Sequence, residues 1–413
     1  MNHKLRQRLS DPLLTTICAL GVGQITAWGT SYYCLGVLAG PISSETGWSR
    51  SLVFSGFTVA LLAMGVVSPW DGRLIDRQGA RRVMAVGTLL VSLGLFALSM
   101  VHSEGAYLTV WVFLGLGMRL VLYDAAFAAL VQVAPSRGRM AISYLTLFGA
   151  FASTVFWVIG HYLNEALGWR NTFAAFAAIQ LLVCLPLNWF GLGWREAHDR
   201  SITPSEKARA ARDGAPLTGR ARAMALALFA MVMSLNGFVF GVVSVHLVPL
   251  LEAAGITTTA AVWVASLKGI AQFGGRVVEI SFGKNLRAIT VGRIAVGVLP
   301  VSFVVLLLAG GDLRAIVAFT LVMGAAQGVI TIVRGAVPLA LFGTQGYGAV
   351  LGLIATPVVV VNATSPTIFA MIVDRWGWHV GELVLLITAA ASWIAIEIMS
   401  RWYEHRRSAP RVT

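Results

Sequence analysis

Between Pro12 and Trp402 the chain is a succession of apolar runs, separated by short polar connectors. Each run has about the length that a helix needs to cross a bilayer, ~20 mostly apolar residues. Such runs occur at residues 12–38, 51–70, 83–101, 106–134, 140–163 and 171–192. They recur at 223–250, 259–283, 288–309, 313–342, 347–373 and 378–402. In hydrocarbon every backbone polar group must be satisfied within the spanning segment, so runs of this kind must be helices. The pattern predicts an all-α membrane protein with twelve transmembrane helices. Composition agrees, since only 12% of the 413 residues are charged against ~25% in soluble domains.

The net charge of +13 invites a nucleic-acid reading, but the cations do not form one patch. They sit in short connectors that alternate along the chain. Arg73, Arg77, Arg81, Arg82, Arg137, Arg139, Lys284 and Arg287 fall on one side, with the N-terminus and the tail residues Arg406, Arg407 and Arg411. The opposite loops hold Arg50, Arg170, Arg314 and Arg375. By the positive-inside bias both termini are expected in the cytoplasm, in a multi-pass protein of a cell membrane such as the bacterial inner membrane. The basic start (Lys4, Arg6, Arg8) before an apolar run resembles a signal peptide, but the run continues past Leu38 and is read as a retained first helix. Cys18, Cys34 and Cys184 lie in apolar runs without paired spacing, so neither a disulfide framework nor a metal site is expected. Hydropathy collapses between Gly193 and Arg222. The expected organisation is therefore a six-helix bundle at 1–192, a cytoplasmic linker at 193–222 and a second six-helix bundle at 223–413. The linker's basic residues offer contact with anionic lipid.

The connector Gly72-Arg73-Leu74-Ile75-Asp76-Arg77-Gln78-Gly79-Ala80-Arg81-Arg82 is the densest motif. Its glycines let the chain turn tightly, Asp76 can accept from backbone or arginine, and the arginines anchor one face. The motif returns in the second half as Gly275-Arg276-Val277-Val278-Glu279, with Gly283-Lys284 after it. Gly168-Trp169 returns as Gly377-Trp378, and Gly138 as Gly348. These echoes, in order and at similar spacing, point to an internal repeat, with a substrate cavity expected between the halves near mid-bilayer.

The connector resembles the G-x-L-a-D-R-x-G-R-R loop between the second and third helices of the major facilitator superfamily, and the likeness extends over the whole chain. Within it, His246-Leu247-Val248-Pro249-Leu250-Leu251 followed by Gly255 and Gly275-Arg276 is similar to the branch of monocarboxylate porters and oxalate–formate exchangers. Animal monocarboxylate porters carry Asp-x-x-x-Arg in helix eight and a lysine in helix one. Here the first reads Gln272-x-x-x-Arg276 and the second is missing. The helix-five Pro–Gly pattern of drug antiporters is absent from Phe148–His161. The resemblance implies two bundles working by alternating access, with no enzymatic activity and no cofactor.

An ionisable residue inside a span costs at least ~2.5–3.5 kcal/mol on insertion scales, so each needs a partner or a function. Lys268 lies deep in the eighth span with no acid one turn away, which suits contact with an anionic substrate; pairing with another helix is the rival. Arg119 and Tyr123 are four apart in the fourth span and are expected to share a face. The resemblance gives that arginine a cavity-side or proton-coupling role, with a structural clamp to backbone carbonyls as the alternative. Gln24, Trp28 and Tyr32 form a polar–aromatic stripe in the first span, expected to face the substrate cavity with aromatic walls and polar tips, core packing being the alternative; Gln272 is a further substrate-binding candidate beside Lys268. For gating, Gly72, Asp76, Arg77, Gly79, Arg81 and Arg82 form the turn, with Arg276 and Glu279 as their counterparts. Asp124 and Arg334 precede Gly138 and Gly348 at equal spacing, so an ion pair between the halves is conceivable; pairing of Asp124 with the basic loop is the alternative.

The expected activity is secondary transport of a small organic anion such as a monocarboxylate, coupled to protons as a symport, by a monomer in the bilayer with no nucleic-acid partner. The alternatives are uptake or efflux of a neutral aromatic or toxic compound (a vitamin such as riboflavin, a drug, a metalloid species), or a transporter-like sensor that binds without translocating. A sensor would be expected to add a signalling tail, and Ala409–Thr413 is short for one.

Overall fold

The computed structural model describes residues 11–195 and 216–408, so most of the expected linker lies outside the described residues. The described chain is helical. The first span is α1 (Pro12–Ala27), a five-residue π turn (Trp28–Tyr32) and α2 (Leu35–Thr46). Then come α3 (Arg50–Gln78), α4 (Ala80–Ser99), α5 (Glu104–Val121), α6 (Tyr123–Val133), α7 (Gly138–Gly149), α8 (Ala152–Ile179) and α9 (Leu185–Gly191). After the undescribed segment follow α10 (Gly219–Ala253), α11 (Thr258–Phe282), α12 (Ala288–Leu307), α13 (Leu313–Phe342), α14 (Tyr347–Trp376) and α15 (Trp378–Ser408).

Local chemistry sets the starts. Asp11 precedes Pro12 and its carboxylate accepts from the Leu13 amide at 3.0 Å, while proline at the first helical position sacrifices a donor with no intrahelical partner. Ser49, Ser103, Thr257 and Asp312 cap α3, α5, α11 and α13 in the same way.

Ten segments among the described residues are long and apolar enough to span a membrane. The segment Pro135–Gly191, at 57 residues, is far longer than one pass; at 1.5 Å per residue it would reach ~85 Å if straight. It holds two passes, because Gly168 (φ 76°, ψ 164°) breaks α8. The helix α11 falls outside the ten and carries Lys268, Arg276 and Glu279. Adding one pass for each gives twelve. Their outward faces are apolar: Leu182, Phe190, Phe282 and Leu308 are each at least 75% exposed, which suits lipid rather than water.

Two compact units emerge. One holds the described residues up to 195 together with Gly346–Thr356; the other holds the rest. Within the first, α5 packs against both α3 and α4; within the second, α13 packs in the same way against α11 and α12. The neighbour pattern is thus repeated. In the second unit a buried core gathers Phe303, Phe319, Phe369, Leu250 and Leu385.

The connector after the second span is not a loop. Helix α3 runs on through Gly72 and Asp76 to Gln78, and α4 begins at Ala80, so the turn is the single residue Gly79 (φ 83°). Hydropathy ends the span at Trp70 because the residues after it are mostly polar or charged, whereas the helix continues to Gln78. Gln132 clamps the turn, accepting from the Ala80 amide at 2.9 Å and donating to the Ile75 carbonyl at 2.9 Å.

The fourth span is also not continuous. Leu122 is extended (ψ −171°) and separates α5 from α6. Arg119 and Tyr123 therefore stand on opposite sides of a break, and the four-residue spacing does not place them on one helical face.

Candidate functional site

The break at Leu122 organises the first unit. Gln24 donates from Nε2 to the Val121 carbonyl at 2.7 Å, and its Oε1 accepts from Trp28 Nε1 at 3.1 Å. Gln24 is fully buried, so both ends of this amide are spent on structure. The sequence reading gave it a cavity tip; what it does here is bind the broken span to the aromatic face of the first.

That face is real but built differently from a simple α-helical stripe. The π turn at Trp28–Tyr32 widens the helix, a feature common at functional sites. Trp28 lies with its ring centroid 4.7 Å from Tyr32, 6.0 Å from Tyr33 and 5.0 Å from Tyr123. Tyr32 meets Phe57 edge-on at 4.7 Å, and Tyr123 stacks on Phe127 at 5.2 Å. Trp28, Tyr32 and Tyr33 stay half-buried. Tyr33 and Phe57 were not singled out in the sequence, although Tyr33 directly follows Tyr32.

On the other side of the break three charges meet. Arg119 Nη1 donates to Asp124 Oδ2 at 2.6 Å, and its Nε lies 3.5 Å from Asp71 Oδ2. All three residues are 5% exposed or less. Asp124 sits in the first turn of α6, where the helix dipole favours a negative group. Neither expectation for Asp124 included Arg119, because a continuous helix would not fold that arginine back towards residue 124. Asp71 was missed altogether. The signal available was an acid immediately before the glycine of the densest motif.

In the glycine- and arginine-rich turn after the second span, Asp76 accepts from the amides of Gly348 at 3.0 Å and Ala349 at 2.8 Å. It thus caps the first turn of α14, a segment that groups with the first unit. A Cβ on Gly72 would overlap the Gly348 carbonyl, which explains glycine there. Arg81 donates from Nε to the Trp189 carbonyl at 2.6 Å and lies over its indole at 4.3 Å. Arg77 and Arg82 are exposed.

In the second unit, Lys268 is half-buried midway along α11, with Nζ 5.5 Å from the centroid of Phe240. Among the described residues no carboxylate forms an ion pair with it. Gln272, one turn on, donates to Gln327 Oε1 at 3.5 Å. Arg276 and Glu279 are both 5% exposed, and Arg276 Nε points to the Gly328 carbonyl at 3.4 Å. Arg334 is half-buried on α13. Glu397 holds Arg293, an arginine the sequence reading passed over, through two bonds at 2.7 and 2.8 Å. No group of His, Cys, Asp or Glu among the described residues could hold a metal.

Comparison with known proteins places this architecture. The family model of the Major Facilitator Superfamily matches residues 20–310. Human monocarboxylate transporter 6 is 32% identical over 144 residues, covering 35% of this chain and 27% of that protein. The agnestins efflux protein of Paecilomyces divaricatus is 28% identical over 186 residues, 43% of this chain and 41% of its own. An uncharacterized MFS-type transporter of Bacillus subtilis, YcxA, is 24% identical over 225 residues, 52% of each chain. The chain thus spans about a quarter to a half of the curated relatives it matches. Among solved structures, the human organic anion transporter MFSD10 (TETRAN) superposes with a TM-score of 0.74 at 14% identity, over 94% of this chain and 100% of that one. The proton:xylose symporter XylE gives 0.70 at 12% identity, over 92% and 94%. At such identities these likenesses speak for the fold alone. With the family model covering most of the chain, twelve helices and a repeated packing pattern, the chain belongs to the Major Facilitator Superfamily, a family of membrane transporters and not of enzymes.

Proposed function

We propose that this protein is a secondary transporter that moves a small organic anion, such as a monocarboxylate, by alternating access. Lys268 carries the reading. It is a cation deep in a spanning helix, beside an aromatic ring, with no ion-paired acid among the described residues. Leaving it without a counter-charge is costly in hydrocarbon, and an anionic substrate would supply one as the partner of a point charge. Similarity to human monocarboxylate transporter 6 favours the same class of substrate.

Proton coupling draws support from the first unit. Two carboxylates share one guanidinium at Asp71, Arg119 and Asp124. A buried cluster of ionisable groups within spanning helices is a candidate carrier of the coupling proton. Asp76, by capping α14, is the group we assign to the gate, with Gly72 and Gly79 shaping its approach. Cytoplasmic termini, residence in the bacterial inner membrane and action as a monomer complete the proposal.

A second reading has its own support. The ring cluster of Trp28, Tyr32, Tyr33, Phe57 and Tyr123 would suit a neutral aromatic solute. Counterflow with purified protein in liposomes separates the two. Labelled small carboxylates should exchange, and Lys268→Ala should abolish exchange while expression and thermal unfolding stay near wild type. Unchanged kinetics in Lys268→Ala, or exchange of neutral aromatic compounds only, would overturn the anion reading.

A further inference from the structure

A groove of about 530 Å³ runs along the outside of the first unit between α3 and α5. Its walls are apolar: Val67, Trp70 and Leu74 from α3, with Leu116 and Leu120 from α5. Trp70 is 63% exposed, which no packed interior would allow. At one end of the groove the lining changes character, to Arg73 and Arg77. These two arginines are one helical turn apart and both exposed, so their guanidinium groups rise from one face of α3.

From Val67 to Leu74 the apolar α3 lining covers seven steps of continuous helix, about 10 Å at 1.5 Å per residue. An apolar slot that ends in two cations matches the chemistry of a lipid: part of an acyl chain along the slot, phosphate at its mouth. Asp71 lies on the floor, but its carboxylate is 4% exposed and turned to Arg119, so it does not present a bare acid to the headgroup. The groove mouth therefore favours a negative group.

We propose that this groove is a binding site for an anionic phospholipid of the surrounding bilayer, with its phosphate held by Arg73 and Arg77. Guanidinium suits phosphate because its planar donors can bind two oxygens at once. The site is distinct from Lys268 and from the triad, and it needs no statement about what is transported. Its seat is the helix that carries Asp71 and Asp76, so occupancy would stiffen that helix in a lipid-dependent way.

The test is native mass spectrometry of the full-length protein in detergent, titrated with phosphatidylglycerol or phosphatidylcholine. Phosphatidylglycerol should remain bound through delipidation and phosphatidylcholine should not. Removing two phosphate-facing cations should weaken retention about 10- to 30-fold, taking the usual worth of a basic residue near an anionic surface. Hence Arg73→Gln with Arg77→Gln should lose the lipid, whereas Arg401→Gln with Arg406→Gln, an equal change of charge elsewhere, should keep it. Leu116→Trp, which fills the slot and spares both arginines, should also lose it. Soluble glycerol phosphate should not compete at concentrations where the lipid binds, since it lacks the chain. Equal losses in the two arginine pairs, retention in Leu116→Trp, or full competition by glycerol phosphate would each overturn the proposal.

Discussion

Replacing Arg119 by methionine would test the buried charge cluster most severely. The guanidinium lies 2.6 Å from Asp124 and 3.5 Å from Asp71. At an effective dielectric of ~20 these separations correspond to attractions of about 6 and about 5 kcal/mol. Desolvation of three charges offsets much of that gain, so the pairs' net worth is far smaller. Deletion is another matter, because it removes the cation that two carboxylates, each 5% exposed or less, both face. Breaking a buried pair from one side costs about 3–5 kcal/mol, which is a factor of roughly 150 to 4,000 in the folded ratio and of the order of 6–20 °C in midpoint for a unit of this size. Arg119→Met should therefore lower the unfolding midpoint, followed by intrinsic fluorescence in detergent. The triple variant with Asp71→Asn and Asp124→Asn removes the two facing carboxylates as well and should recover most of the loss. A triple variant no more stable than Arg119→Met, or a single variant with the wild-type midpoint, would refute the idea that these three groups form one electrostatic unit.

Other outcomes follow from the same geometry. Asp76→Asn keeps the shape but weakens the cap on the Gly348 and Ala349 amides, so turnover should fall several-fold while substrate affinity, measured separately, moves little; a large affinity loss with unchanged turnover would contradict it. In double-mutant cycles Asp124 should couple to Arg119 by more than about 1 kcal/mol; additive losses would contradict it. Gln24→Leu should cost about 1–3 kcal/mol, since it leaves the Val121 carbonyl buried without its donor; a midpoint within error of wild type would show that the break at Leu122 is held by other contacts.

Much of the architecture was legible in the sequence because the bilayer dictates segment length so strictly. The twelve runs and their order survive in the structure, and Gly79, read as a turn residue, is one. What escaped were departures from regular helix. Leu122 adopts an extended conformation with no proline or glycine to announce it, and the stripe through Trp28 and Tyr32 gave no sign that the helix widens there into a π turn. Asp71 was lost because a hydropathy window ends where polar residues begin, while α3 carries on for eight residues past Trp70. Arg293 was lost beside a strongly apolar run, although its partner Glu397 was noted as needing one. Periodicity locates faces of unbroken helices; it cannot show which charges a break brings together.

Coupled translocation of an organic anion can be read from purified protein in liposomes given a labelled small carboxylate and an imposed proton gradient. The carboxylate should accumulate above its external concentration, the accumulation should collapse with a protonophore, and it should be missing in Lys268→Ala. Binding of the carboxylate without accumulation would point to a sensor, and gradient-driven accumulation of a neutral aromatic compound in its place would overturn the anion assignment.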